Sequence, residues 1–251
     1  MIINTNTTAV RAARLLSESS TKLGESLARL SSGSKIVNAS DDAAGLAQVL
    51  KLDAQLKRTG AASANVGNAI SFSQTQDGFL QKVQTALERM SELTVLGQDV
   101  TKSNTDRSNY SVEFTQLQSY ISDIGGKDFN GVTLFSTEGT ATLAVTIDSD
   151  AATFGMALID LTSSIATTGL AQIYTGLTSA ITNSVSAASA LSNIQTAIQN
   201  LADMRANVGA NIQRLNMTDD QVTILNENMS AANSRIKDID VADETTEFAR
   251  F

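Results

Sequence analysis

Carboxylates form the densest groups of reactive side chains in this sequence. Asp238, Asp240, Asp243, Glu244 and Glu247 crowd its final stretch, and Asp41 stands beside Asp42 near its start. Clustered carboxylates can hold a divalent cation, and a close pair can share general acid–base work. The late cluster has no EF-hand-like ligand spacing, so a solvated face or one side of a subunit contact accounts for it better. Asp41-Asp42 follows Ser40 just before an apolar-periodic run. Ser40, Asp41 and Asp42 therefore read as helix-capping oxygens and first-turn charge rather than as a catalytic dyad.

The missing residues bound the chemistry further. Among 251 residues there is no His, Cys, Pro or Trp. Without His the commonest general base and metal ligand is gone. Without Cys there is neither a disulfide nor a thiolate site. We expect no catalytic residues, no metal and no cofactor. A formal net charge of -8 disfavours nucleic-acid binding, which needs clustered Lys and Arg. No apolar run is long enough to span a membrane, and the opening Met1-Ile-Ile-Asn-Thr-Asn lacks the pattern of a cleavable secretion signal.

Absent Pro suits long uninterrupted helices, and the periodicity places them. Residues 5–32 carry Val10, Ala13, Leu16, Leu23, Leu27 and Leu30 as a helical stripe. Residues 41–99 form a second block of about 88 Å if helical throughout. Its seam is Ala62, Val66, Ala69, Ser73, Gln76, Leu80, Val83, Leu87 and Met90. A polar turn follows, with Asn104 or Thr105 as the expected cap. A third helix then runs to about Ile124 on Val112, Leu117, Ile121 and Ile124.

The character changes after Gly125-Gly126. The runs at 131–135, 142–148 and 153–161 read as short strands or hairpins. Residues 162–190 are a Ser/Thr/Ala/Gly-rich crossing, and the Ser/Thr-rich residues 136–184 are candidates for O-linked glycans if they face outward. From Leu191, alternate steps of three and four give Leu191, Ile194, Ile198, Leu201, Arg205, Val208, Ile212, Leu215, Asp219, Val222, Asn226, Met229, Asn233 and Ile236. Ten of these fourteen are apolar, which is coiled-coil-like packing. The polar four suit a helix that meets further neighbours rather than a self-sufficient zipper. The expected fold is therefore mainly α, a coiled-coil-like rod of long helices from both chain ends with a small β-hairpin region in the middle.

Residues 27–46, Leu-Ala-Arg-Leu-Ser-Ser-Gly-Ser-Lys-Ile-Val-Asn-Ala-Ser-Asp-Asp-Ala-Ala-Gly-Leu, form a helix–loop–helix joint. Together with the opening Ile3-Asn4-Thr5-Asn6, the stretch Asn65–Gly78, Asp128-Phe-Asn-Gly-Val132 and the closing Ser234–Arg250, the joint strongly resembles bacterial flagellin. Several motifs in the right order, over roughly 1–135 and 185–251, make the resemblance specific. It implies a secreted structural subunit that polymerises into the extracellular flagellar filament used for motility. The implied partners are further copies of itself, a cap, and a cytoplasmic export chaperone.

The resemblance also divides the chain. Residues 1–40 become an inner-wall helix and connector, with Leu23, Leu27 and Leu30 packing the wall. Residues 41–130 and 186–235 become the two halves of a rod, 131–185 an outward hairpin region, and 236–251 the start of an inner segment. Flagellins continue beyond the motif ending at Arg250, so we expect the sequence to be a piece of a longer chain, with the stripe of the first helix left exposed or disordered.

Arg89, Glu92 and Leu93, with Glu113 on the next helix, resemble the patch by which a Toll-like innate immune receptor senses many flagellins, with Leu93 as apolar anchor. The blander reading is a solvated face with local ion pairs. The alternatives to a filament subunit are a hook–filament junction protein, which shares the terminal-helix plan, and a secreted adhesin or immune-sensed protein, which would need a larger middle domain.

Overall fold

The computed structural model describes residues 6–136, 142–157, 159–161, 170 and 181–251. Among them are five α-helices: α1 Thr7–Ser32, α2 Ala43–Gln98, α3 Asn104–Gly125, α4 Ser184–Lys237 and α5 Val241–Arg250. Short strands occupy β1 Asp128–Phe129, β2 Val132–Thr133, β3 Phe135–Ser136, β4 Thr142–Thr146, β5 Thr153–Ala157 and β6 Ile159–Asp160. The fold is mainly α. The chain forms two compact units, residues up to Ala61 with Thr223–Phe251, and Ala62–Val222.

In the first unit, α1 begins at Asn6, whose side chain accepts from the Ala9 N–H at 3.1 Å. It ends at Gly33, where φ is +66° and the N–H returns to the Arg29 carbonyl at 2.8 Å. Glycine adopts this left-handed cap without a Cβ penalty. The α1 helix packs antiparallel against α5: Arg29 lies 4.0 Å from Glu244, while Ser19 donates to the Phe251 carbonyl at 2.6 Å. The contact face is not the leucine stripe. Ser26 is buried there, whereas Leu23 and Leu27 stay exposed and Leu30 is half-buried. The stripe thus lies on a fully formed helix, and of the two expected outcomes, exposed rather than disordered is the one found.

The joint is tied to the other end of the chain. The Lys35 N–H donates to the Lys237 carbonyl at 2.7 Å, the Ile239 N–H donates to the Gly33 carbonyl at 3.3 Å, and Ser34 bridges Asp238. The three expected capping residues have separate places. Asp42 is the N-cap of α2, accepting from the Gly45 N–H at 2.9 Å. Asp41 instead holds the connector, accepting from the Val37 and Asn38 N–H groups at 3.1 and 2.9 Å. Those bonds, Asn38 first, keep its carboxyl below the usual aspartate range. Ser40 lies in the turn. A Cβ at Gly45 would meet the Asp42 carboxylate and the Ile36 methyl, so a side chain there would push both aside.

In the second unit, all nine seam residues expected on α2, from Ala62 to Met90, are buried. The two polar ones are satisfied. Ser73 donates to the Ala69 carbonyl at 2.9 Å, and Gln76 reaches the Leu134 carbonyl at 2.7 Å. The opposing α4 runs antiparallel. Ser63 donates to Asp219 at 3.0 Å, Arg205 pairs with Asp77 at 2.9 Å, and Ser184 donates to the Gln98 carbonyl at 3.4 Å. On both helices these rungs are separated by two and then three heptads; on α4 they keep the spacing of the seam, and on α2 Ser63 and Asp77 each lie one residue beyond a seam position. The polar positions Arg205 and Asp219 therefore find partners inside the chain. Asn233 does the same in the first unit, donating to Asp53 at 2.7 Å.

The N-cap of α3 is Ser103, one residue before the first of the expected caps. Ser103 accepts from the Asp106 N–H at 3.2 Å while the Asp106 carboxylate accepts from the Ser103 N–H at 2.9 Å, a reciprocal capping box. Its buried face is Arg107, Ser111, Phe114, Ile121 and Ile124, with Leu117 partly buried. Val112, expected as an anchor, is 62% exposed. The buried Arg107 donates to the Gly97 and Asp99 carbonyls, both at 2.9 Å, and so satisfies the end of α2.

Two of the expected strand runs are broken up. The β1–β2 hairpin turns through Asn130 at φ +52° and Gly131 at φ +79°, the pair a two-residue turn of this hand favours. The run 131–135 then divides between β2 and β3, because Leu134 bonds back to Lys127. The β3 strand pairs in parallel with β6, and β4 pairs antiparallel with β5. The crossing expected at 162–190 gives way to α4 from Ser184. Its earlier part, and most of the glycan candidates at 136–184, lie outside the described residues.

Candidate assembly interface

Among the described residues, three surfaces have the character of contact sites. The first is the outer face of α1, where Val10 is 69% and Leu16 73% exposed, with Leu15 and Leu27 also open to solvent. Apolar residues at helical spacing on one formed helix make a continuous face, and such a face marks an interaction site more reliably than scattered leucines do.

The second is the Arg89 cluster. The guanidinium grips both oxygens of Glu113, Nε to Oε1 at 2.7 Å and Nη2 to Oε2 at 3.1 Å. It reaches Glu92 through Nη1 at 2.8 Å. The Arg89 hydrogen bond holds the Glu113 carboxyl below the usual glutamate range, and the carboxylates push the arginine further up. All three side chains remain close to half exposed or more, so water screens the cluster. It clamps α2 to α3 and leaves its rim available.

Leu93 does not belong to this surface. It is fully buried in the core of the second unit, so the folded chain does not present it as the patch's apolar anchor. The exposed apolar residues beside the cluster are Val95 and Leu96. The alternating steps of four and three that run to Met90 fall next on Thr94, which is buried as well, so the seam by itself did not single out Leu93.

The third is the late acidic cluster. Asp240 caps α5, accepting from the Ala242 and Asp243 N–H groups at 2.9 and 3.4 Å. Asp243 and Glu244 occupy the first turn, where the helix dipole favours negative charge. Glu244 is buried opposite Arg29. The cluster is therefore mostly helix-start chemistry, with Glu244 buried rather than on the solvated face expected from the sequence.

Comparison with known proteins accords with this geometry. Residues 3–140 match the bacterial flagellin N-terminal helical region, and residues 191–251 match the bacterial flagellin C-terminal helical region. A flagellin of Halalkalibacterium halodurans is 36% identical over all of this chain and 90% of its own length. A flagellar filament core protein of Brachyspira hyodysenteriae is 33% identical, again over all of this chain and 90% of its own. The crystal structure of Bacillus cereus flagellin aligns with a TM-score of 0.53 at 28% identity, covering 68% of this chain and 94% of that one. A putative flagellar hook-associated protein from Vibrio parahaemolyticus, at 16% identity and a TM-score of 0.65, shares the fold over 79% of this chain and all of its own. With both terminal regions matched and full-length relatives above 30% identity, the chain belongs to the bacterial flagellin family.

Proposed function

We propose that this chain is a structural subunit that polymerises into the bacterial flagellar filament and works outside the cell. One observation carries the reading: the apolar face of α1, from Val10 to Leu27, lies open on a well-formed helix. Burying such a face stabilises at about 25 cal/mol per Å², and a polymer of like subunits supplies the cover. In this reading residues 1–40 and 236–251 serve the inner wall, 41–130 and 186–235 the rod, and 131–185 the outer surface. A cap at the growing end and an export chaperone are further partners. Electron microscopy and sedimentation of the purified chain test the proposal. Tubes with near-axial helices are expected, and a discrete small oligomer would overturn it.

The rim of Arg89, Glu92 and Glu113, flanked by Val95 and Leu96, supports a second role for the monomer as a ligand of a Toll-like innate immune receptor. Arginine is a favoured interface anchor. Arg89→Ala should weaken receptor binding by the soluble chain. Unchanged binding would remove that role and leave the filament reading intact.

A further inference from the structure

In the second unit an open groove of about 580 Å³ runs between α2 and β4. One face of α2 forms its first wall, where Asn65, Asn68, Ala69 and Phe72 recur at the three- and four-residue steps of a helix. The opposite wall is Leu143, Ala144, Val145 and Thr146 of β4. Successive strand residues point to opposite faces, so four consecutive lining residues mean that β4 presents its edge. Among the described residues that edge is unpaired, because β4 pairs only with β5. The ladder shows which backbone groups the edge offers. The Ile147 N–H donates to the Ala152 carbonyl at 2.9 Å, and bonded pairs alternate with unbonded ones in an antiparallel ladder. In the β4–β5 register Leu143 and Val145 then bond to β5, which turns the N–H and C=O groups of Ala144 and Thr146 outward to the groove.

We propose that this groove binds an uncharged peptide segment of another protein, added to β4 as an extended strand. Natural edge strands are commonly blunted by Lys, Pro or a covering element, and the β4 sequence Thr-Leu-Ala-Val-Thr has neither Lys nor Pro. Main-chain bonds to a free edge give a bound strand its affinity, and pockets for alternate side chains give its selectivity. Here Phe72 and Phe129, with ring centroids 6.0 Å apart, join Val132 in an apolar lining. Asn65, Asn68 and Asn130 are exposed in the same lining, and their carboxamides can donate to and accept from a peptide backbone. Charge selects the occupant. The lining contains no Asp, Glu, Lys or Arg, so a charged side chain entering the groove would lose water without gaining a partner. The segment that fits alternates small polar residues with residues of valine size. A second copy's β4 arrives with β5 along its other edge, where the α2 wall stands, so a lone strand fits and a hairpin does not. The inference concerns the folded subunit and does not depend on the filament reading.

Amide hydrogen exchange of the full chain, read by NMR, tests this with the peptide acetyl-Thr-Val-Thr-Val-Thr-amide as probe. The peptide should slow exchange at the Ala144 and Thr146 N–H groups and leave Leu143 and Val145, already bonded to β5, as they were. The same peptide N-methylated throughout has lost its donors and should bind about tenfold more weakly. A version with both Val replaced by Lys should also bind more weakly. Ala144→Pro removes one outward donor, which an edge strand tolerates, and should weaken the probe by about tenfold with unchanged far-UV circular dichroism. Absence of slowing at Ala144 and Thr146, or equal binding of the N-methylated or Lys-substituted peptide, would overturn the inference even if the Ala144→Pro chain failed to fold. Slowing that appears without peptide as the chain concentration rises would make a second copy the occupant and would overturn it as well. The filament reading is decided separately, by microscopy.

Discussion

Arg205 sits on the α4 seam where an apolar residue is expected, and replacing it by alanine tests why. Its guanidinium donates to Asp77 at 2.9 and 3.4 Å and to Gln84 at 2.8 Å. Hydrogen bonds to charged groups contribute about 1.5–3 kcal/mol. Fully exposed pairs contribute only about 0.2–1 kcal/mol. The Arg205 and Asp77 side chains are 33% and 27% exposed, between those limits. Asp77 also keeps its bond from Gln81 at 2.8 Å, so the carboxylate is not orphaned. Arg205→Ala should therefore cost about 1–2 kcal/mol, read by urea unfolding followed at 222 nm. Asp77→Ala with Arg205→Ala should show a coupling of about 1 kcal/mol in a double-mutant cycle. The pH dependence separates charge from packing. Arg205 holds the Asp77 carboxyl below its ordinary value of 3.8. A depressed carboxylate contributes stability above its unfolded pKa and loses it as pH falls through the folded one. The Arg205→Ala deficit should thus shrink steadily below about pH 4. A coupling near zero, or a deficit unchanged in acid, would refute the ion-pair account and leave only lost packing of the arginine stem.

Three further outcomes are expected. Leu80→Ala, at a fully buried seam position, should destabilise by about 3–5 kcal/mol in the same unfolding assay, because it removes apolar contact and leaves a cavity; a loss below 1 kcal/mol would mean that the seam is not a packed core. Gly33→Ala should cost about 1–2 kcal/mol and loosen the joint, since φ is +66° there; unchanged hydrogen exchange at Lys35 and Ile239 would count against it. Acid should melt the chain progressively from about pH 4 downward, because Asp41, Asp77, Asp106 and Glu113 all titrate below their ordinary values; a chain equally stable at pH 2 and pH 7 would contradict those contacts.

Much of this molecule was legible in its sequence. Helical period follows from local chemistry, so the α2 seam from Ala62 to Met90 and the α4 seam from Leu191 to Ile236 could be read directly. The family resemblance came from the joint at 27–46 and the closing motif. Period shows which residues share a face. It does not show whether that face is covered, or by what. Tertiary structure alone decided that Leu93 turns inward while Leu23 and Leu27 stay exposed, and that Val112 points to solvent. It also chose the partners of the polar seam residues: Asp77 for Arg205, Ser63 for Asp219, Asp53 for Asn233 and the Leu134 carbonyl for Gln76. Those partners lie many residues away in sequence, where no local rule reaches. Chain direction and antiparallel register brought them together, within hydrogen-bond distance of one another.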